Sequence, residues 1–119
     1  MAAFQSPAFR AIASQLAQAL ETYQQHVDAM VESWMDWHLY GSVSRELDGI
    51  RHMRKALPAV SIEMVDVLVR HVELTCAIWE TRVHRSGIPQ GGELQRLRER
   101  HHAAVQAMRE KCLKIASDR

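Results

Sequence analysis

Only two cysteines, Cys76 and Cys112, occur in 119 residues. They are far apart and each sits in a helical context, which fits partly buried thiols in a reducing compartment better than a disulfide-stapled scaffold. No stretch reaches the 18 or more apolar residues of a membrane span, and MAAFQSPAFR lacks the basic segment followed by an apolar run of a secretory leader. These absences lead to the expectation of a cytoplasmic protein with no membrane partner. Net charge is only +1 with histidine neutral, so no nucleic-acid footprint covers the whole domain. Internal repeats and low-complexity tracts are missing. So are His-x-x-x-His, His-Glu-x-x-His and any pattern diagnostic of a nucleophile and its base.

What is present is an ordinary globular composition, 47% apolar and 24% charged. The length suits a single domain, 1–119, with about two-thirds of its surface buried. Charge is unevenly spread along it. Up to Gly41, Arg10 stands against Glu21, Asp28, Glu32 and Asp36, a net −3, whereas residues 93–119 carry seven basic and four acidic side chains, a net +3. An acidic first helix and a basic last helix attract one another, within one chain or between two copies.

Apolar positions from Phe9 onward step by four and three through Ala13, Leu16, Leu20, Tyr23, Val27, Met30, Trp34 and Trp37. That spacing predicts one helix over about 7–40, with Ser6 as cap, Pro7 in its first turn and a coiled-coil-like seam. Unbroken, it would reach about 50 Å, long for a small monomer and a pointer to a homo-oligomer. A shorter helix over about 44–57, capped by Ser44, ends at Pro58. A third, over about 61–86, has the seam Ile62, Val65, Val69, Val72, Cys76, Trp79 and Val83, with Met64, Leu68, His71, Thr75 and Ile78 beside it. Its wide apolar arc predicts the most buried helix, touching two neighbours or a second subunit. SGIPQGG, 86–92, is the clearest loop, and it makes an antiparallel hairpin with a fourth helix over about 93–117. That helix has Leu94, Leu97, His101, Val105, Met108, Cys112 and Ile115 on one side. The expected fold is therefore all-α, a small bundle of three long helices and one short one.

Three groups of residues bear on function. Trp34, Trp37 and Tyr40 give the chain its densest aromatic run and, with Met64 and Leu68 beside the third seam, form the candidate protein-binding set. Among seven histidines, His71 and His101 occupy positions at or beside seams, and Glu99 with His102 supplies one Glu-x-x-His spacing. His71, Glu99 and His101 are thus the candidate metal ligands, although a di-iron bundle needs two such pairs. Arg51, Arg54 and Lys55 form a compact basic patch that a nucleic acid or an acidic protein would meet. The third helix is too long and apolar to be a recognition helix. The leading expectation is a non-enzymatic helical protein that binds another protein, as adaptor, chaperone or small regulator, and forms a homodimer without a cofactor. A metal- or haem-binding bundle and a weak nucleic-acid-binding regulator are the alternatives.

Overall fold

Residues 7–33, 36–84 and 92–117 are described by the computed structural model, the side chains of 82–84 excepted. They form four helices: α1 (Pro7–Glu32), α2 (Trp37–Arg54), α3 (Ser61–His84) and α4 (Glu93–Ser117), with a 3₁₀ turn at Pro58–Val60. The fold is the expected all-α bundle. Trp34, the Val83 side chain and most of the SGIPQGG segment lie outside what is described.

One helix boundary differs from the sequence expectation, and the reason is local. The helix expected over 7–40 ends at Glu32, and the next one starts at Trp37 rather than near Ser44. Ser33 closes α1, its Oγ donating to the Met30 carbonyl at 3.1 Å and accepting from the Asp36 amide at 3.3 Å. Asp36 then caps α2, because its Oδ1 accepts from the amides of His38 (2.9 Å) and Leu39 (3.2 Å), two donors that a helix start leaves unpaired. At the other end of α2, Lys55, Ala56 and Leu57 donate three residues back, tightening the chain into the turn that Pro58 imposes. Ser61 is the first residue of α3. Its Oγ accepts from Arg54 at 3.0 Å and donates to the Pro58 carbonyl at 2.7 Å, which ties the end of α2 to the start of α3.

Ion pairs and ring contacts set the helix directions. Arg109 reaches Glu21, and Arg98 reaches Asp28 and Glu32, so α1 and α4 are antiparallel. Lys111 meets Glu63 and His101 lies near His71, so α3 and α4 form the expected antiparallel hairpin. Trp37 sits against Trp79 at the opposite end from the Arg54–Ser61 link, which makes α2 and α3 antiparallel as well. The attraction between an acidic first helix and a basic last helix is realised inside one chain. Helix α1 packs along α2 and α4, and α3 packs along α4 but only lightly against α2.

The core is a single cluster. Helix α1 contributes Ala13, Leu16, Leu20, Tyr23, Val27 and Met30, all essentially inaccessible, as its seam predicts. Helix α4 contributes His101, Val105, Met108, Cys112 and Ile115 from the expected side, with Leu94 and Leu97 half-buried against it. Val43, Leu47 and Ile50 complete it from α2.

Candidate functional site

Helix α3 reverses the expected burial. Its core-facing residues are Met64, Val67, Leu74 and Ile78, with His71 half-buried among them. The seam expected to be buried points outward instead: Ile62 is 82% exposed, Val65 59%, Val69 45%, Val72 57% and Trp79 43%, and Cys76 is exposed too. Five of the six outward residues stand two positions from an inward one, about 200° around a helix turning 100° per residue, and Trp79 lies 100° from Ile78. The helix therefore carries two apolar seams on opposite sides. Periodicity alone cannot say which of them faces the core.

The outward seam is bordered by α2 on one side and by charge on the other. Trp37, more than half exposed, packs edge-on to Trp79 (ring centroids 5.4 Å apart, 67° between planes) and to Tyr40 (6.0 Å, 90°). These three rings, with Thr75, Cys76 and Glu80, line a depression of about 400 Å³ at the α3 C-terminal end. A second depression of about 430 Å³ opens at the other end, where Arg51 and Arg54 of α2 and Lys55 just after it border Met64, Val65 and Leu68. Along the far flank, Arg70 bonds both Asp66 (3.1 Å) and Glu73 (2.9 Å), offsetting the acidic edge of the seam.

Of the candidate protein-binding residues, Trp37 and Tyr40 lie on this face, and Leu68 lines it while packing partly against the core. Met64 differs: at 4% exposure it belongs to the inward seam and only borders the depression beside Arg54. The basic patch is partly offset, since Arg51 lies 3.6 Å from Asp48 and Arg54 is engaged by Ser61.

The candidate metal ligands divide. His71 and His101 do converge, on the hydroxyl of Tyr23, which lies 2.7 Å from His71 Nδ1 and 2.9 Å from His101 Nε2. Glu99 is elsewhere, exposed and accepting from Gln95. Among the described residues no group of three or more histidine, cysteine or acidic side chains could hold a metal ion. Proton counting assigns the cluster a different character. A hydroxyl has one proton, so it donates to one imidazole and accepts from the other. His101 Nδ1 is buried without a partner, and a bare lone pair is tolerated there better than an N–H. His101 Nε2–H therefore donates to Tyr23, and Tyr23 O–H donates to His71 Nδ1. Burial lowers the His71 pKa; it also lowers that of His101, to about 4, with the charge of a protonated His71 adding to the effect. Burial pushes the Tyr23 phenol far above its usual range. All three groups are neutral at pH 7, a hydrogen-bonded polar joint between α1, α3 and α4.

By spacing alone Tyr23 is an apolar seam residue, and its hydroxyl has no role in that pattern. A usable signal was there: a histidine on a core seam needs a polar partner, and Tyr23 is a polar-tipped residue on the facing α1 seam.

Fold and site together define an all-α four-helix bundle with one heptad-spaced apolar face turned to solvent. Compared with family models, curated proteins and solved structures, the chain matches none. Among the described residues no helix is long and apolar enough to cross a membrane.

Proposed function

We propose that the protein is a non-enzymatic interaction protein, an adaptor, chaperone or small regulator, that works in the cytoplasm as a homodimer built on the outward seam of α3. The observation that carries this reading is the solvent-facing row Ile62, Val65, Val69, Val72, Cys76 and Trp79. Its alternating steps of three and four are the spacing by which one helix inserts side chains between those of another. A row of this kind, continued by Trp37, is an apolar patch of the sort that marks a binding surface rather than scattered exposure. Tryptophans at one end supply the rigid, concentrated area typical of residues that dominate interfaces. A second copy of the chain carries the same row with the same period, so it is a partner whose surface matches without further assumption.

Sedimentation equilibrium on the full chain at roughly 100 µM, a concentration that populates a dimer of micromolar affinity, tests the proposal. The expected result is a dimer for the wild type and a monomer for Val69→Lys, with the helical circular dichroism of the variant unchanged because Val69 contributes nothing to the core. A monomeric wild type, or a Val69→Lys variant that dimerises as well as the wild type, overturns it.

A further inference from the structure

Building on the homodimer reading, we infer that the two α3 helices pair antiparallel, in a register that sets Val69 against the partner's Val72, Val65 against its Cys76 and Ile62 against its Trp79. The partner is thus a second copy of this chain in a defined orientation. The α2–α3 hairpins of the two protomers stack as two layers of one four-helix assembly.

Three observations bear on this direction: the register permits it, and the other two favour it over a parallel one. The first is register. With Ile62, Val69 and Cys76 at one heptad position and Val65, Val72 and Trp79 at the other, an antiparallel pair matches the first kind with the second at every layer. A two-fold axis between Val69 and Val72 does this for all six residues at once, leaving none overhanging.

The second is bulk. Trp37, Tyr40 and Trp79 form a thick aromatic cluster at one end of the face, whereas Val65 and the mostly exposed Ile62 stand at the other. A parallel pair would press Trp79 on its own symmetry mate and leave the valine end gaping, and mismatched volume of this kind is costly at a packed interface. Antiparallel pairing lays each cluster over the thin end of its neighbour.

The third is charge. On α2 the end beside Val65 carries Arg51, Arg54 and Lys55, and the end beside Trp79 carries Trp37, Tyr40 and the capping Asp36. A parallel two-fold pair carries each α2 to the opposite flank of the seam, so its cations miss the partner's rings. An antiparallel pair sets them over the partner's indole and phenol rings and toward its Asp36, an attractive arrangement for a cation and a ring face. Area also calls for α2 to take part. A ridge from Ile62 to Trp79 is about 26 Å long and about 10 Å wide, a footprint of only roughly 300 Å², well below the ~600–800 Å² that each partner of a stable dimer buries.

Disulfide trapping of the full chain under mild oxidation, run beside sedimentation, tests the register. In the antiparallel register Cys76 lies eleven residues, about 16 Å, along the axis from its symmetry mate, too far for a bond. Val65→Cys places a new thiol opposite the partner's Cys76. The expected result is no cross-linked dimer for the wild type, a strong cross-linked dimer for Val65→Cys, and loss of that band in Val65→Cys/Cys76→Ser. Ready cross-linking of the wild type through Cys76 would mean parallel pairing and overturn the register while leaving the homodimer intact. A dimer by sedimentation that cross-links in neither form would place the interface elsewhere and overturn it as well. A monomer by sedimentation removes the homodimer reading itself.

Discussion

Acid should loosen this bundle through His101 before most carboxylates have titrated. The imidazole is fully buried, and its pKa falls from 6.5 to about 4, first through burial, then through the charge of a protonated His71, while Asp28 partly opposes and His102 adds slightly. In the unfolded chain the same ring titrates at its ordinary value, so below pH 6.5 the unfolded state binds more protons and stability falls with pH. The loss starts near 6.5 and is nearly complete at the folded-state value. At about 1.4 kcal/mol per pH unit, the gap is worth about 3 kcal/mol by pH 4, a large part of the stability of a domain this size. His71, lowered in the same direction by burial, steepens the fall, because its protonated Nδ1 would have to donate to Tyr23 and force His101 into the tautomer with a buried, unpartnered N–H. Urea denaturation followed at 222 nm between pH 7 and 4, at one fixed protein concentration so that any self-association enters every measurement equally, measures this directly. His101→Gln should be less stable than the wild type at pH 7 and should show a flatter pH dependence. If the difference between wild-type and variant stability stays constant across that range, the buried neutral histidine is not what links this fold to pH.

Two further substitutions separate the roles of other residues. Asp36→Ala should cost about 1 kcal/mol of folding stability in denaturant titration, because two amides at the start of α2 lose their acceptor. Asp36→Asn should cost clearly less. Leu74→Ala should cost about 3 kcal/mol by emptying a core position, and Val72→Ala, two residues away on the outward face, should leave the fold within about 0.5 kcal/mol. The same two proteins compared by sedimentation should reverse in rank, with the Val72 variant the one that weakens self-association.

Helices α1 and α4 were legible in the sequence because each has one apolar seam and a polar remainder, so spacing and burial point the same way. The break between α1 and α2 was not. Trp34 and Trp37 continue the three-and-four stepping past the point where Ser33 and Asp36 turn the chain, and a short polar cap carries less weight in a periodicity reading than two tryptophans. On α3 the period was right and the face was wrong, since Met64, Val67, His71, Leu74 and Ile78 repeat with the same rhythm as Ile62, Val65, Val69, Val72, Cys76 and Trp79. The meeting of Tyr23, His71 and His101 joins residues 48 and 78 positions apart. No local pattern encodes such a contact; it follows only once the helices are packed.

The two seams of α3 explain why the outward one is not simply covered by its neighbour in the chain. Helix α2 is the element that would have to roll over it, but α2 is already committed to the core by Val43, Leu47 and Ile50. It is also held against α1 by the 2.6 Å pair of His26 and Glu46 and fixed at its ends by Asp36 and the Arg54–Ser61 bond. Rotating α3 to bury the outward seam would lift Leu74 and Ile78 out of the core and pull His71 from Tyr23, leaving a buried hydroxyl with one partner instead of two. Among the described residues, then, none of the four helices can cover the row without giving up contacts of similar size. The polar joint on the inner side of α3 fixes which seam faces outward, and the proposed homodimer would supply from a second α3 the cover that the chain's own helices do not.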